Sequence, residues 1–264
     1  MTARTDFAYV QARLHARHAR LPGAAVWQAL EASRTAAHYL AQSRAGPLAE
    51  WVDELDAAWD VHRIERGLRA RWHRRVDEVA RWLPPRWQAA TRWFGTLTEL
   101  PLIDALRGSG PAAGWQHADE RLAAFVQPDP AARVDALRRA GLGPFATLSA
   151  PSTPSTPHPA PRSPAAVAIW HEAWLQRMPP HEDDPALVSR PAALLLPRLL
   201  GARGERSLAA ESTRRALSKL FRRHAGSPVA VFAHLALVAL DLERLRGGLV
   251  ARRLLEPASA SGGA

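Results

Sequence analysis

The chain contains no cysteine. Disulfides and thiolate metal sites are therefore excluded. Lysine is almost absent as well: Lys219 is the only one among 35 basic residues. The formal net charge of +10 is thus carried by arginine. No apolar run approaches the roughly 20 residues that a bilayer-spanning helix needs. Met1-Thr2-Ala3-Arg4-Thr5-Asp6 leads straight into an amphipathic pattern rather than a signal peptide. The expected location is cytoplasmic, or peripheral to a membrane. No segment alternates as a strand would. Catalytic signatures are missing too. There is no Gly-x-Ser-x-Gly elbow and no His-Glu-x-x-His pair. Gly108-Ser109-Gly110 lacks both a following lysine and a preceding strand. The sequence offers no positive evidence for catalysis, a cofactor or a small-molecule substrate.

What is present is apolar and helical. Hydrophobic residues make up 47% of 264 positions, enough to fill a sizeable core. Heavy Ala, Arg and Pro usage fits the codon bias of a GC-rich genome better than a nucleic-acid surface. Arg63, Arg66, Arg69, Arg71, Arg74 and Arg75 are interrupted by Glu65 and followed by Asp77 and Glu78. They point around a helix, as a solvated face with i,i+4 pairs such as Arg74 with Glu78 would.

The spacing predicts a first helix from Thr5 or Asp6 to about Leu21, with Phe7, Val10, Leu14 and Leu21 inward. Arg17 and His18 fall near that face and need a partner or a route to water. Pro22-Gly23 breaks the pattern, and two short helices follow, about 24–32 and 34–43. From Leu48 to Leu83 the pattern is helical throughout. Val61, Ile64, Leu68, Trp72, Val76, Val79 and Leu83 form its core stripe. Pro84-Pro85 stops it. Further helices are expected over 86–97, 100–106, 131–140, 165–177 and 207–224. His181-Glu182-Asp183-Asp184-Pro185 reads as an acidic turn starting another helix, and Pro197 should bend or break the run 194–200. Residues 149–164 are Ser/Thr/Pro-rich and read as an extended linker between helical regions 1–148 and 165–264. Residues 257–264 read as disordered. The expected fold class is all-α, with helices bundled into lobes.

Ser227-Pro228 opens the last helix, Ser227 as cap and Pro228 at the first helical position. Its first turns are apolar on every side, so they must be buried. Leu242, Leu245 and Leu249 continue one stripe, and Gly247-Gly248 is expected to end or kink it. His234, inside the apolar run, reads as a buried histidine hydrogen-bonded to backbone rather than a proton relay. The ten tryptophans read as core or interface packing rather than base-stacking platforms. His15, His18, His62 and Glu65 are the strongest metal-ligand candidates. His62/Glu65 has the reversed order of a di-iron Glu-x-x-His motif, so no metal site is assigned.

Both ends resemble one family. Tyr9-Val10-Gln11-Ala12-Arg13-Leu14-His15-Ala16-Arg17-His18-Ala19-Arg20-Leu21 is similar to an opening helix patterned Tyr-x-x-Ala-Arg-x-x-Ala-x-x-x-x-Leu. That helix belongs to the family of V-type and A-type rotary ATPase proteins that couple the central stalk to the rotor. Trp27–Ala32 and Leu40–Pro47 follow in the order of that family's next segments. Asp241-Leu242-Glu243-Arg244-Leu245-Arg246-Gly247-Gly248 and Arg252-Arg253-Leu254 resemble its closing pattern. The chain is shorter than the family's three helical lobes, and a Thr-Pro-Tyr-Gly-like loop is missing. The resemblance implies a non-catalytic subunit joining central-shaft subunits to the membrane rotor ring in proton or sodium transport. It implies a place at the inner face of the cell membrane, peripheral to it. It also implies that the terminal helices share one lobe, with contact around Val10/Leu14 and Leu235/Leu242. Arg244, Arg246, Arg252 and Arg253 become candidate contacts for shaft carboxylates or lipid headgroups. The alternative is an all-α nucleic-acid-associated or general helical interaction protein, although the charge pattern disfavours nucleic acid.

Overall fold

A computed structural model describes residues 3–108, 114–119, 121–148, 164–180, 184–200 and 206–255. The linker 149–164, apart from Pro164, lies outside the described residues. So do His181–Asp183 and residues 257–264. Among the described residues the chain is all-α. The helices are α1 (Ala3–His18), α2 (Ala24–Glu31), α3 (Ala36–Arg44), α4 (Ala49–Val52), α5 (Val61–Trp82), α6 (Pro85–Phe94) and α7 (Leu100–Gly108). The chain continues with α8 (Gly114–His117), α9 (Pro130–Arg139), α10 (Pro164–Leu175), α11 (Pro185–Leu200), α12 (Arg206–Arg223) and α13 (Pro228–Leu255). Short 3-10 turns cover Gly95–Glu99 and Gly143–Thr147.

The local chemistry explains the boundaries. Thr35 accepts from His38 N at 3.2 Å to open α3. Asp129 accepts from Ala132 N at 2.7 Å, with Pro130 behind it, to open α9. The run 48–83 is not one helix. Asp53 and Asp56 bond the backbone N–H groups of Glu54 and Ala58, and Asp60 caps Arg63 N at 2.8 Å. Aspartates that offer the backbone such partners break a helix, so α4 and α5 are separate.

Two other expected breaks are absent. Helix α11 continues through Pro191 and Pro197, and α13 continues through Gly247-Gly248 to Leu255. Gly248 serves close approach rather than termination. A Cβ there would lie 2.6 Å from Tyr39 Cζ, so only glycine lets the Tyr39 ring lie against α13. Gly247, its neighbour, faces open space.

Helix α13 is the spine. Its residues from Pro228 to Ala239 are all buried, and α1, α3, α5, α11 and α12 pack around it. The terminal helices α1 and α13 therefore share one lobe. Gly226 N, just before α13, donates to Gln11 Oε1 on α1 at 2.8 Å. The second layer is aromatic. Phe94, Trp170, Trp174 and Phe232 meet with ring centroids 5.0–6.3 Å apart. Trp93 Nε1 donates to Trp170 O at 2.9 Å, and Trp170 Nε1 returns the bond to Trp93 O at 3.3 Å. Residues on both sides of the Pro-rich stretch thus contribute to one core. Seven of the ten tryptophans are buried in it, as packing residues should be.

Candidate functional site

The four arginines singled out near the C-terminus hold the fold together. Arg244 donates to Glu31 on α2 and lies 4.7 Å from the Trp27 ring. Arg246 bridges Glu65 of α5 at 2.9 Å and Glu243 at 3.0 Å. Arg252 donates to the carbonyls of Ser33, Leu30 and Glu31 at 2.7–3.1 Å, which are orphan acceptors at the end of α2. Its guanidinium sits 4.4 Å over the Tyr39 ring. Arg253 donates to Trp59 O at 3.1 Å. Beyond them, Leu254 and Leu255 project, 68% and 82% exposed.

Deeper in the spine, His234 is 1% exposed. Neither ring nitrogen has a partner. The expected backbone bond is not made, because the ring lies among other rings: His18 at 6.3 Å and Phe221 at 6.0 Å. Burial, then the His18, Arg75 and Arg17 charges, push its pKa down to about 3. His18 stacks on Phe221 at 4.3 Å, and its pKa is lowered by burial and then by His15. Asp241, two turns along α13, pairs with Arg214 through Oδ1, while Oδ2 has no partner. Burial outweighs that arginine and raises the Asp241 carboxyl to about 7. A cavity of about 470 Å³ adjoins both groups, with Arg17, Arg20, Glu50 and Arg75 among its walls.

A third polar centre arises from residues that sequence reasoning passed over. Gly95 starts it. A Cβ there would sit 3.3 Å from Val76 Cγ1 and 3.4 Å from His73 Nδ1, so glycine lets α5 press against the 95–99 turn. Trp72 Nε1 pins the turn by donating to Gly95 O at 2.7 Å. His73, next on α5, then reaches Glu99 with Nε2 2.7 Å from Oε1. Arg121 closes on the same carboxylate with two parallel bonds of 3.0 Å, Nε to Oε1 and Nη2 to Oε2. Burial alone would raise the Glu99 carboxyl. The hydrogen bond and charge of His73, with Arg121, overcome it and hold the group at about 2. The available signal was a lone carboxylate in the apolar run 93–106, since a buried charge demands partners.

Other expectations land differently. Arg74 pairs with Glu54 at 3.1 Å, not with Glu78. Glu78 instead takes Arg17 at 2.5 Å and Arg75 at 3.3 Å, because the fold brings α1 alongside α5. Arg17 thereby has its partner. A groove of about 580 Å³ collects Arg13, Arg71, Arg74, Arg75 and Arg81 beside Trp51 and Trp82. It is the most nucleic-acid-like surface, yet four of those arginines are ion-paired within the chain. The metal-ligand candidates are dispersed. His62 stacks on Trp115 at 4.4 Å, Glu65 pairs with Arg246, and His15 and His18 lie against Phe221. Among the described residues no group of three or more His, Cys, Asp or Glu could hold a metal ion, and no helix is long and apolar enough to cross a membrane. No family model, curated protein or solved structure matches this chain.

Proposed function

We propose that this chain is a non-catalytic coupling subunit of a V-type or A-type-like rotary ATPase, joining the central shaft to the membrane rotor ring in proton or sodium transport. Support comes from the two segments that carry the resemblance. They are distant in sequence, yet α1 with Tyr9–Leu21 packs against α13 with Asp241–Gly248. The charged residues of the closing pattern tie α13 to three other helices: Asp241 to Arg214 of α12, Arg244 to Glu31 of α2, and Arg246 to Glu65 of α5. A part that passes torque needs such cross-bracing, and it needs no active site.

In this proposal the contact end is the tip of α13. Arg244, Arg246, Arg252 and Arg253 stiffen it, and the exposed Leu254 and Leu255 lead the contact. The protein then sits at the inner face of the membrane through its partners rather than through a span of its own. Co-expression of the tagged full chain with the rotor-ring and shaft proteins of its own genome tests this. Stoichiometric co-elution with both is the expected result. A monodisperse chain that leaves both behind overturns it.

A further inference from the structure

The Glu99 centre forms one wall of a cleft of about 770 Å³. That size is typical of small-molecule sites. The cleft lies between α5, α6, the 118–121 segment and Arg177 beyond α10. Its charge is unbalanced: five arginines face three carboxylates. The carboxylates are already committed. Glu99 is held by Arg121, Asp119 by Arg69, and Asp77 by Arg92 at 2.7 Å. Two guanidiniums remain. Arg66 donates to Ala118 O at 2.9 Å, and Arg177 donates one N–H to Ala173 O. Neither has a carboxylate partner among the described residues.

Arg177 is also pre-positioned. Its guanidinium stacks 4.3 Å from the Trp93 ring, which fixes the plane of its remaining donors. Val76, Ala89 and Trp93 supply apolar wall beside it. A ligand that satisfied this cleft would bring an oxyanion for Arg177 and Arg66 and an apolar body for that wall. A bare inorganic ion would leave most of the volume empty, and a folded acidic protein surface would not enter it.

We propose that this cleft is a binding site for a small organic oxyanion, a phosphate monoester or carboxylate with an aromatic or aliphatic body, anchored by Arg177. The site is independent of the coupling role: either can fail without the other.

Calorimetric titration of the full chain with phenyl phosphate, benzoate and inorganic phosphate tests it. Saturable binding of phenyl phosphate or benzoate is expected, with a dissociation constant of about 1 mM for ligands of this size. Inorganic phosphate should bind at least about 10-fold more weakly, lacking the apolar body. Arg177→Gln should weaken the organic anion at least about 10-fold by removing a charged donor, and Arg177→Lys should recover part of the loss. Arg66→Gln provides a second variant if Arg177→Gln lowers the thermal transition. Absence of saturable binding by either organic anion, inorganic phosphate binding as tightly as phenyl phosphate, or affinity unchanged in both glutamine variants would overturn the proposal.

Discussion

Glu99 and Asp241 are almost equally deep, 1% and 3% exposed, yet they end with opposite pKa shifts. At the cleft, Glu99 meets His73 and a two-pronged Arg121, so it stays ionised with its carboxyl at about 2. On the spine, Asp241 meets Arg214 through one oxygen only, and burial raises it to about 7. Depth alone therefore does not set the charge state. The number and geometry of donors decide whether desolvation is offset. The cleft is a saturated network beside open space, with arginine to spare. The spine is apolar packing that tolerates one under-bonded carboxyl and an unbonded His234.

The sharpest way to break this contrast is Glu99→Gln. Removing the charge strands Arg121, and loss of one partner from a buried pair costs roughly 3–5 kcal/mol. Urea unfolding at pH 7 should show it; an unchanged midpoint would mean the network contributes nothing. In the wild type, the lowered Glu99 carboxyl gives stability that is present above about pH 4.5 and lost as pH falls toward about 2.

Asp241 has the reverse sign. A raised carboxyl binds its proton more tightly in the folded state. Its contribution therefore declines as pH climbs from about 4 to about 7 and is flat above. A rise from the ordinary 3.8 to about 7 corresponds to on the order of 4 kcal/mol. His234, with its lowered pKa, opposes this on the acid side, so the difference between wild type and Asp241→Asn isolates the carboxyl. That difference should change steadily between pH 4 and pH 7. A pH-independent difference would remove Asp241 from the comparison.

The two adjacent glycines of α13 sharpen the picture of the spine. Gly248→Ala forces a methyl group into the Tyr39 ring and should cost about 2 kcal/mol. Gly247→Ala meets nothing and should stabilise by about 0.5–1 kcal/mol through helix propensity. Thermal melts of both variants check the signs. Destabilisation by both would indicate that α13 does end or bend at this pair.

Helix α5 was legible because its apolar residues step by three or four along one face, and the spine because apolar residues surround its first turns. Lobe sharing by α1 and α13 followed the family resemblance. The Gly248 close approach was not legible, since it depends on Tyr39 from a distant helix. Nor were the proline-containing turns of α11, where tertiary packing overrides local preference. The Glu99 centre escaped for a similar reason. His73, Glu99 and Arg121 come from three segments, and no spacing links them. The C-terminal arginines were visible as charge, but their carboxylate and carbonyl partners lie some 180 to 220 residues away.

Photo-crosslinking from Leu255 tests the coupling role most directly. The side chain is 82% exposed, so a photoreactive residue there leaves the core untouched. In membranes from cells carrying the complete complex, adducts to the shaft or rotor-ring proteins are predicted, with none from the same probe at buried Leu245. A folded chain that yields no adduct to either would contradict the coupling role.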